Sequence, residues 1–281
     1  QYVVFDGLTL EPLVVEGVLG KSIDGDDLDE VRVASIVAVP GATEWALALK
    51  ESGHVGIVDY AKPGFPMVSR IAAERFLHDG GLDATGRYFL VAANATNRMV
   101  AIDLKEHKLA ASFETGVLPH PGRGANWIDP TFGRVGATTH MGENTLAIFG
   151  ADPEGQPQNA WKVVREVTLP AAGSLFLKTH PASPWVVADM TLATDTKAMR
   201  QLCAYGKQAG KIDHCFEVTT HGKVVHPEFN RAGDEIWVSV WDTDGELVVY
   251  DSTSLAEKAR ITGLKTPTGK FNVYNTAHDV Y

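Results

Sequence analysis

The sequence predicts an all-β protein with the β-propeller architecture, and three observations lead to this prediction. One short pattern recurs along the 281 residues, namely an apolar strand that ends in aspartate or glycine and is followed by a turn. Other apolar strands precede and follow most copies of this pattern. Helical periodicity is almost absent. Three or four strands per repeat, joined by turns of Gly, Asp and Asn, are typical of a propeller blade.

The recurring strand sets the length of the repeat. Its copies occupy residues 2–6, 55–59, 99–103, 146–150, 202–206 and 248–251. Their ends are spaced by about 49 residues, whereas the turns of a parallel β-helix, the competing repeat fold, are much shorter. Preceding strands are predicted at 86–93 and 234–240, and a following strand at 109–114. We therefore expect five to six blades.

The first copy of the strand lacks a preceding strand, so its blade is incomplete. A propeller closes into a ring that leaves no sheet edge open, and five repeats with one partial repeat leave that ring short. We therefore expect residues 1–281 to form one partial propeller domain, the C-terminal part of a longer chain whose N-terminal blades are missing.

The composition is that of an ordinary globular protein and argues against several kinds of partner. The chain is 44% hydrophobic and 21% charged, and no apolar window reaches the length of a membrane-spanning helix. Its net charge of −10 repels nucleic-acid phosphates and anionic membrane surfaces. We expect no nucleic-acid binding and no membrane insertion. The two cysteines, Cys203 and Cys215, form either one disulfide or two buried thiols.

Histidines followed by proline or by Asp-Gly stand in the predicted loops. His78 and His120 are 42 residues apart, close to one repeat, so we expect equivalent positions in adjacent blades and imidazoles that lie side by side. His180 and His226 have similar settings. Converging imidazoles titrate near neutrality, hold an anion and deliver protons, which suits the reduction of a small oxyanion. A single histidine of this kind can also simply cap a turn.

Two further alternatives concern the chemistry of these loops. Zinc held by three histidines is one, but no nearby carboxylate recurs in a ligand-like frame, so we expect no metal bound by protein ligands alone. Arg123, flanked by glycines, either approaches a ligand and pairs with its carboxylate or binds backbone carbonyls. The sequence contains no nucleophile elbow, Walker loop or dinucleotide fingerprint.

Four segments resemble one protein family, the heme d1 domain of cytochrome cd1 nitrite reductase. They are residues 78–81, 120–126, 173–181 and 266–276. The likeness runs in order from Gln1 to Tyr281. The resemblance implies a periplasmic eight-bladed propeller in which nitrite is reduced to nitric oxide at heme d1, with an electron supplied by a c-type heme.

The resemblance also implies roles for individual residues. His78 and His120 match the pair that binds nitrite and supplies two protons. The positions that surround the macrocycle are Arg123, which faces its carboxylates, Phe176, Thr268, Gly269 and, as a further pocket arginine, Arg32. The c-heme attachment motif is absent, and the proximal histidine that ligates the iron belongs to the missing blades. We therefore expect residues 1–281 alone to be inactive.

One position favours a related enzyme of the same fold. At His226 the nitrite reductases carry glutamine, and residues 24–30 lack the Tyr-His-Pro-Glu run of those enzymes. Both features resemble dihydro-heme d1 dehydrogenase, which completes heme d1 biosynthesis and needs a proton acceptor near a propionate, a role for His226. The retention of His78 and His120 favours nitrite reduction. A non-catalytic heme d1 carrier is the third alternative.

The resemblance finally implies partners and a compartment. Nitrite is the small-molecule substrate, and the electron donor is a small c-type cytochrome or a cupredoxin. Heme c belongs to the missing N-terminal domain. We expect a periplasmic protein, and a homodimer is compatible with the family.

Overall fold

The computed structural model describes residues 1–267 and consists almost entirely of antiparallel strands. The chain divides into two compact units, residues 1–114 and 115–281. Each unit is built from sheets in which every strand pairs with the next one along the chain. Within residues 1–267, no helix combines the length and the apolar character that crossing a membrane requires.

Unit 1 contains a two-stranded sheet and two four-stranded sheets. The strands of the pair are β1 (Tyr2–Phe5) and β2 (Pro12–Glu16). The next sheet comprises β3 (Val33–Ala38), β4 (Glu44–Leu49), β5 (His54–Asp59) and β6 (Met67–Ala72). The last comprises β7 (Leu77–Leu82), β8 (Tyr88–Ala93), β9 (Arg98–Asp103) and β10 (Lys108–Glu114), with a 3₁₀ turn at Asn94–Thr96. Buried side chains such as Ile57, Leu77 and Phe89 fill the space between the two larger sheets.

Unit 2 contains three four-stranded sheets within its described part. The first comprises β11 (Ala125–Asp129), β12 (Gly133–Thr138), β13 (Thr145–Gly150) and β14 (Val163–Thr168). The second comprises β15 (Leu177–Thr179), β16 (Trp185–Ala188), β17 (Gln201–Gly206) and β18 (Lys211–Glu217), with a 3₁₀ turn at Ala198–Arg200. The third comprises β19 (Lys223–Phe229), β20 (Glu235–Trp241), β21 (Gly245–Asp251) and β22 (Glu257–Leu264). One apolar core lies between the first and second sheets and another between the second and third.

The recurring apolar strand of the sequence is the third strand of each four-stranded sheet. It corresponds to β5, β9, β13, β17 and β21, and its first copy is β1, which among the strands of residues 1–267 pairs with β2 alone. These third strands are almost fully buried, whereas each of the fourth strands β6, β10, β14, β18 and β22 contains at most one buried residue. A strand covered on both faces is apolar throughout, which makes it visible in a sequence. The predicted repeat, with five to six blade-like sheets, is confirmed for the described residues.

The aspartates that end this strand cap the turn that follows. Asp103 Oδ1 accepts hydrogen bonds from the N–H groups of Lys105 and Glu106, at 3.0 and 3.1 Å. Asp251 does the same for the two residues that follow Ser252. The N–H of Ser254 in that turn lowers the pKa of Asp251 below its ordinary value. A short side chain that bonds the backbone two or three residues ahead fixes such a turn.

The two cysteines form a disulfide. Cys203 of β17 and Cys215 of β18 are cross-strand partners, with 4.0 Å between their Cα atoms. Of the two alternatives predicted from the sequence, one disulfide or two buried thiols, the structure shows the disulfide. Stable disulfides are characteristic of oxidising compartments, the bacterial periplasm among them.

Candidate heme-binding site

Strand β19 contains a bulge that displaces a histidine from the regular ladder. Val225 pairs with Ser239 and Glu228 pairs with Trp237, so between these two pairs β19 contains one residue more than β20. His226 begins this bulge, and its φ of 52° lies in the left-handed region that non-glycine residues seldom adopt. Bulges redirect side chains and are frequent beside functional sites. The bulge therefore gives His226 an orientation that a regular strand would not give it.

Strand β7 of unit 1 carries the same irregularity. Leu77 pairs with Ala93 and Gly80 pairs with Val91, which again leaves one extra residue in the first strand of the sheet. His78 begins this bulge. Its Nδ1 lies 3.3 Å from a carboxylate oxygen of Asp79. His78 thus occupies the position in its sheet that the β19 histidine occupies in the third sheet of unit 2.

This placement corrects two expectations from the sequence. His78 and His226 lie in strands, whereas loops were predicted. The expected equivalence of His78 and His120 is also wrong, because His120 lies before β11 and outside any strand. Only residues 73–76 separate β6 from β7, but residues 115–124 separate β10 from β11. A spacing close to one repeat therefore brings the two histidines to different structural positions. That their imidazoles converge stays a prediction.

His120 is anchored within unit 2 by both its backbone and its ring. Its N–H donates to the carbonyl of Thr139 at 2.8 Å, and its own carbonyl accepts the hydroxyl of Thr139 at 3.2 Å. Nδ1 of the ring lies 2.7 Å from the carbonyl oxygen of Leu175. A carbonyl can only accept, so this nitrogen must carry a proton. In the neutral ring, Nε2 then holds the lone pair.

Phe176 brings the loop of His120 and the bulge of β19 together. Its ring meets that of His120 edge to face, with 5.7 Å between centroids, and that of His226 at 3.9 Å. A Cβ on Gly122 would lie 2.5 Å from Phe176 Cδ1, and the φ of Gly122 is 61°. Both the space and the backbone therefore require glycine at this position. Two of the predicted histidines and the predicted pocket residue Phe176 thus form one cluster in unit 2.

Asp189 holds Phe176 in place and was not predicted from the sequence. Its Oδ1 accepts the N–H groups of Leu175 and Phe176 at 2.8 and 3.1 Å. Its own N–H donates to the carbonyl of Phe176 at 3.1 Å. Burial raises the pKa of Asp189 to about 6, although the surrounding N–H groups, including that of His226, favour its charged form. The sequence contains one signal for Asp189, because it is the single acidic residue within the otherwise apolar run 185–190. A charge in such a run is costly to bury unless hydrogen-bond donors surround it.

Arg123 extends from the same loop into solvent. It is exposed and stands between Gly122 and Gly124, whose φ angles are 61° and 76°. Within residues 1–267 it forms no hydrogen bond or ion pair, so the alternative of a structural arginine bound to carbonyls is not realised there. An unpaired guanidinium beside an aromatic cradle is suited to the carboxylate of a ligand.

The other predicted site residues differ in their surroundings. Arg32 of unit 1 is held by Glu51, through its Nε at 2.7 Å and its backbone N–H at 2.7 Å. His180 accepts the N–H of Ala182 at Nδ1, at 3.1 Å, and its Nε2 lies 3.2 Å from the carbonyl of Arg231. Its ring therefore stabilises two turns. Thr268 and Gly269 lie outside the described residues.

The chain matches a known family over nearly its whole length. The family model for the Cytochrome D1 heme domain covers residues 1–276. The chain belongs to this family. It is similar to a nitrite reductase of Stutzerimonas stutzeri, with 40% identity over 100% of this chain and 54% of that protein. It is also similar to the dihydro-heme d1 dehydrogenase of Pseudomonas aeruginosa, with 32% identity over 87% of this chain and 47% of that protein.

The chain spans about half the length of these two curated relatives. Among solved structures, dihydro-heme d1 dehydrogenase NirN in complex with DHE matches 96% of this chain and 54% of that chain, with a TM-score of 0.78 and 26% identity. The hydrazine synthase of Kuenenia stuttgartiensis, at a TM-score of 0.62 and 12% identity, is similar in fold alone. The predicted family and the predicted β-propeller fold class are confirmed.

The described residues fit a flat macrocycle with acidic substituents, the cofactor that the family implies. Gly122 leaves a cradle against Phe176 that any Cβ would fill. Phe176 and the imidazoles of His120 and His226 provide flat ring surfaces at one place. Arg123 offers a cation for a carboxylate. The cluster in unit 2 is therefore suited to one side of heme d1.

Removing the charge of Asp189 should change how stability depends on pH. The folded protein holds the proton of Asp189 more tightly than the unfolded chain, since its pKa rises from 3.8 to about 6 on folding. Ionisation between pH 4 and 7 therefore costs folded-state stability. We expect Asp189→Asn to gain about 3 kcal/mol relative to the parent protein between pH 4 and pH 7, because each pKa unit corresponds to about 1.4 kcal/mol.

Urea unfolding of the full-length protein at pH 4, 5.5 and 7 measures this difference. Asp251→Asn is the matched control. The folded pKa of Asp251 lies below its ordinary value, so its contribution to stability is lost only below that value, and the difference between this variant and the parent protein should stay nearly constant from pH 4 to pH 7. A difference between Asp189→Asn and the parent that is constant across this range would contradict the assignment.

Proposed function

We propose that this chain is the heme d1-binding propeller of a periplasmic nitrite reductase that forms nitric oxide. The observation that carries the proposal is the buried His120, whose ring is anchored at Nδ1 beside Phe176 and Gly122. The 40% identity with a nitrite reductase along the whole chain supports the same reaction. The disulfide between β17 and β18 supports an oxidising compartment.

The residues of this chain would hold the cofactor from several sides. Phe176 and Gly122 would pack against the macrocycle, and Arg123 would pair with one of its carboxylates. Heme d1, when bound, supplies the redox-active iron at which nitrite is reduced. In this proposal a c-type heme would pass the electron on, and a small c-type cytochrome or a cupredoxin would deliver it.

His78 and His120 are the proton donors in this proposal. Nitrite, two protons and one electron give nitric oxide and water, so each imidazolium supplies one proton to the departing oxygen. In their protonated form the two rings would also attract the anion and stabilise the charge that develops on that oxygen. The Leu175 carbonyl keeps one proton on Nδ1 of His120. The proton that is transferred therefore leaves from Nε2.

The second candidate function is dehydrogenation of dihydro-heme d1, and His226 favours it. A titratable ring lies 3.9 Å from Phe176, centroid to centroid, where the nitrite reductases carry glutamine. When a carbon–carbon single bond next to a carboxylate is oxidised to a double bond, two protons and two electrons leave. Such a ring could accept one of the protons, the other would pass to water, and a c-type cytochrome would take up the electrons. The 32% identity with a dihydro-heme d1 dehydrogenase is consistent with this alternative. Both candidates are oxidoreductases.

We expect His120→Gln to lower nitrite turnover at least about 100-fold, the scale of a lost general acid. The full-length protein loaded with heme d1 and supplied with a reductant is assayed for nitric oxide. The heme d1 absorbance should be retained, because Phe176, Gly122 and Arg123 would still hold the macrocycle. His214→Gln, which changes an exposed histidine of β18, is the control and should leave the rate unchanged. Turnover of His120→Gln near that of the control would refute the assignment.

His226→Gln separates the two candidate reactions. If the protein is a nitrite reductase, this variant carries the residue typical of those enzymes and should keep its nitrite turnover. Neither it nor the parent protein should then convert dihydro-heme d1 to heme d1, as followed by absorbance. Conversion by the parent protein that is lost in His226→Gln would replace nitrite reduction with dehydrogenation as the function.

A further inference from the structure

A single peptide group connects a buried carboxylate to His120. The carbonyl of this group belongs to Leu175 and lies 2.7 Å from Nδ1 of His120. Its N–H belongs to Phe176 and donates to Oδ1 of Asp189 at 3.1 Å. The chain of contacts therefore runs from carboxylate to peptide to imidazole, with no other side chain between them. The carboxylate and the imidazole are both buried, with 0% and 6% of their residue surface exposed.

Asp189 fixes this peptide group from more than one direction. It accepts the N–H of Leu175 on the near side and donates its own N–H to the carbonyl of Phe176 on the far side. The hydroxyl of Ser174, also fully buried, lies 3.4 Å from Oδ1. Leu175 and Phe176 precede β15, so their N–H groups have no ladder partner and depend on this carboxylate. Without it, two backbone donors would be unsatisfied and the segment would move.

We propose that Asp189 is a positioning residue that fixes His120 in the Nδ1–H tautomer through the Leu175–Phe176 peptide group. A negative charge at the N–H end of a peptide group polarises it and makes its carbonyl a stronger acceptor. The His120 ring is thereby held in one orientation, with Nε2 as the nitrogen that exchanges a proton. The inference rests on the proposed function only in naming nitrite as the recipient of that proton.

The geometry assigns the opposite tautomer to His180 in the same unit. Its Nδ1 accepts the N–H of Ala182, so its proton lies on Nε2 and faces the carbonyl of Arg231. An imidazole in water also prefers the Nε2–H form. His120 therefore departs from the intrinsic preference, and His180 follows it. This contrast provides an internal reference for an experiment.

Two-bond ¹H–¹⁵N correlation spectra of the full-length, ¹⁵N-histidine-labelled protein before heme d1 is added test this at pH 8, above the ordinary pKa of imidazole. The His120 signal is assigned by its loss in His120→Gln. We expect the Nδ1–H pattern for His120 in the parent protein and the Nε2–H pattern in Asp189→Ala. His180 should show Nε2–H in both.

The matched control is Asp83→Ala, which removes another buried carboxylate that accepts two backbone N–H groups. It should leave the His120 pattern unchanged. Two results would overturn the proposal. One is an Nδ1–H pattern for His120 in Asp189→Ala while His180 keeps its own pattern. The other is a loss of the Nδ1–H pattern in folded Asp83→Ala as well.

If Asp189→Ala does not fold, as shown by a changed His180 signal, the proposal is tested on the parent protein instead. Scalar couplings across hydrogen bonds should link the Phe176 amide nitrogen to the Asp189 carboxyl carbon, and His120 Nδ1 to the Leu175 carbonyl carbon. The absence of either coupling would overturn the proposal. None of these spectra records turnover, so a failure of nitrite reduction and a failure of the tautomer assignment are separate results.

Discussion

The buried carboxylate of Asp189 is the interaction on which the candidate site depends. It binds the backbone on both sides of Leu175 and so sets the direction of the Phe176 ring and of the carbonyl that anchors His120. Burying a charge is costly unless the surrounding donors are already in place. Here two backbone N–H groups just before β15, which no ladder would otherwise satisfy, donate to the carboxylate. These hydrogen bonds offset part of that cost, and burial still raises the pKa of Asp189 to about 6.

The chemistry of unit 2 is concentrated where regular strand geometry ends. His120 and Arg123 belong to a glycine-containing loop, Phe176 precedes β15, and His226 begins a bulge. The sheets themselves are packed with apolar side chains and provide a rigid support. This division is common, because loops and bulges can direct polar groups while the ladder keeps its hydrogen bonds.

The strand repeat could be predicted from the sequence, whereas the arrangement of the site largely could not. The third strands are buried on both faces and end in turn-capping aspartates such as Asp103, so both features leave a local signal. A bulge at His226 or His78 depends on cross-strand pairing, which no local pattern encodes. The spacing of His78 and His120 in the sequence predicted equivalent positions. That prediction was wrong because the connections before β7 and β11 differ in length. The role of Asp189 follows from its hydrogen bonds to Leu175 and Phe176, and these contacts are visible only in the folded chain.

Titration of heme d1 into the full-length protein, followed by absorbance, tests most directly whether this cluster holds the cofactor. The parent protein should give a saturating change at one equivalent, and Gly122→Val should bind much more weakly, because a side chain there meets Phe176. Gly263→Val is the matched control, since Gly263 also has a positive φ but no atom lies within 4 Å of a Cβ built there. A folded parent protein that gives no spectral change, or a Gly122→Val protein that binds as tightly as the control, would contradict the account.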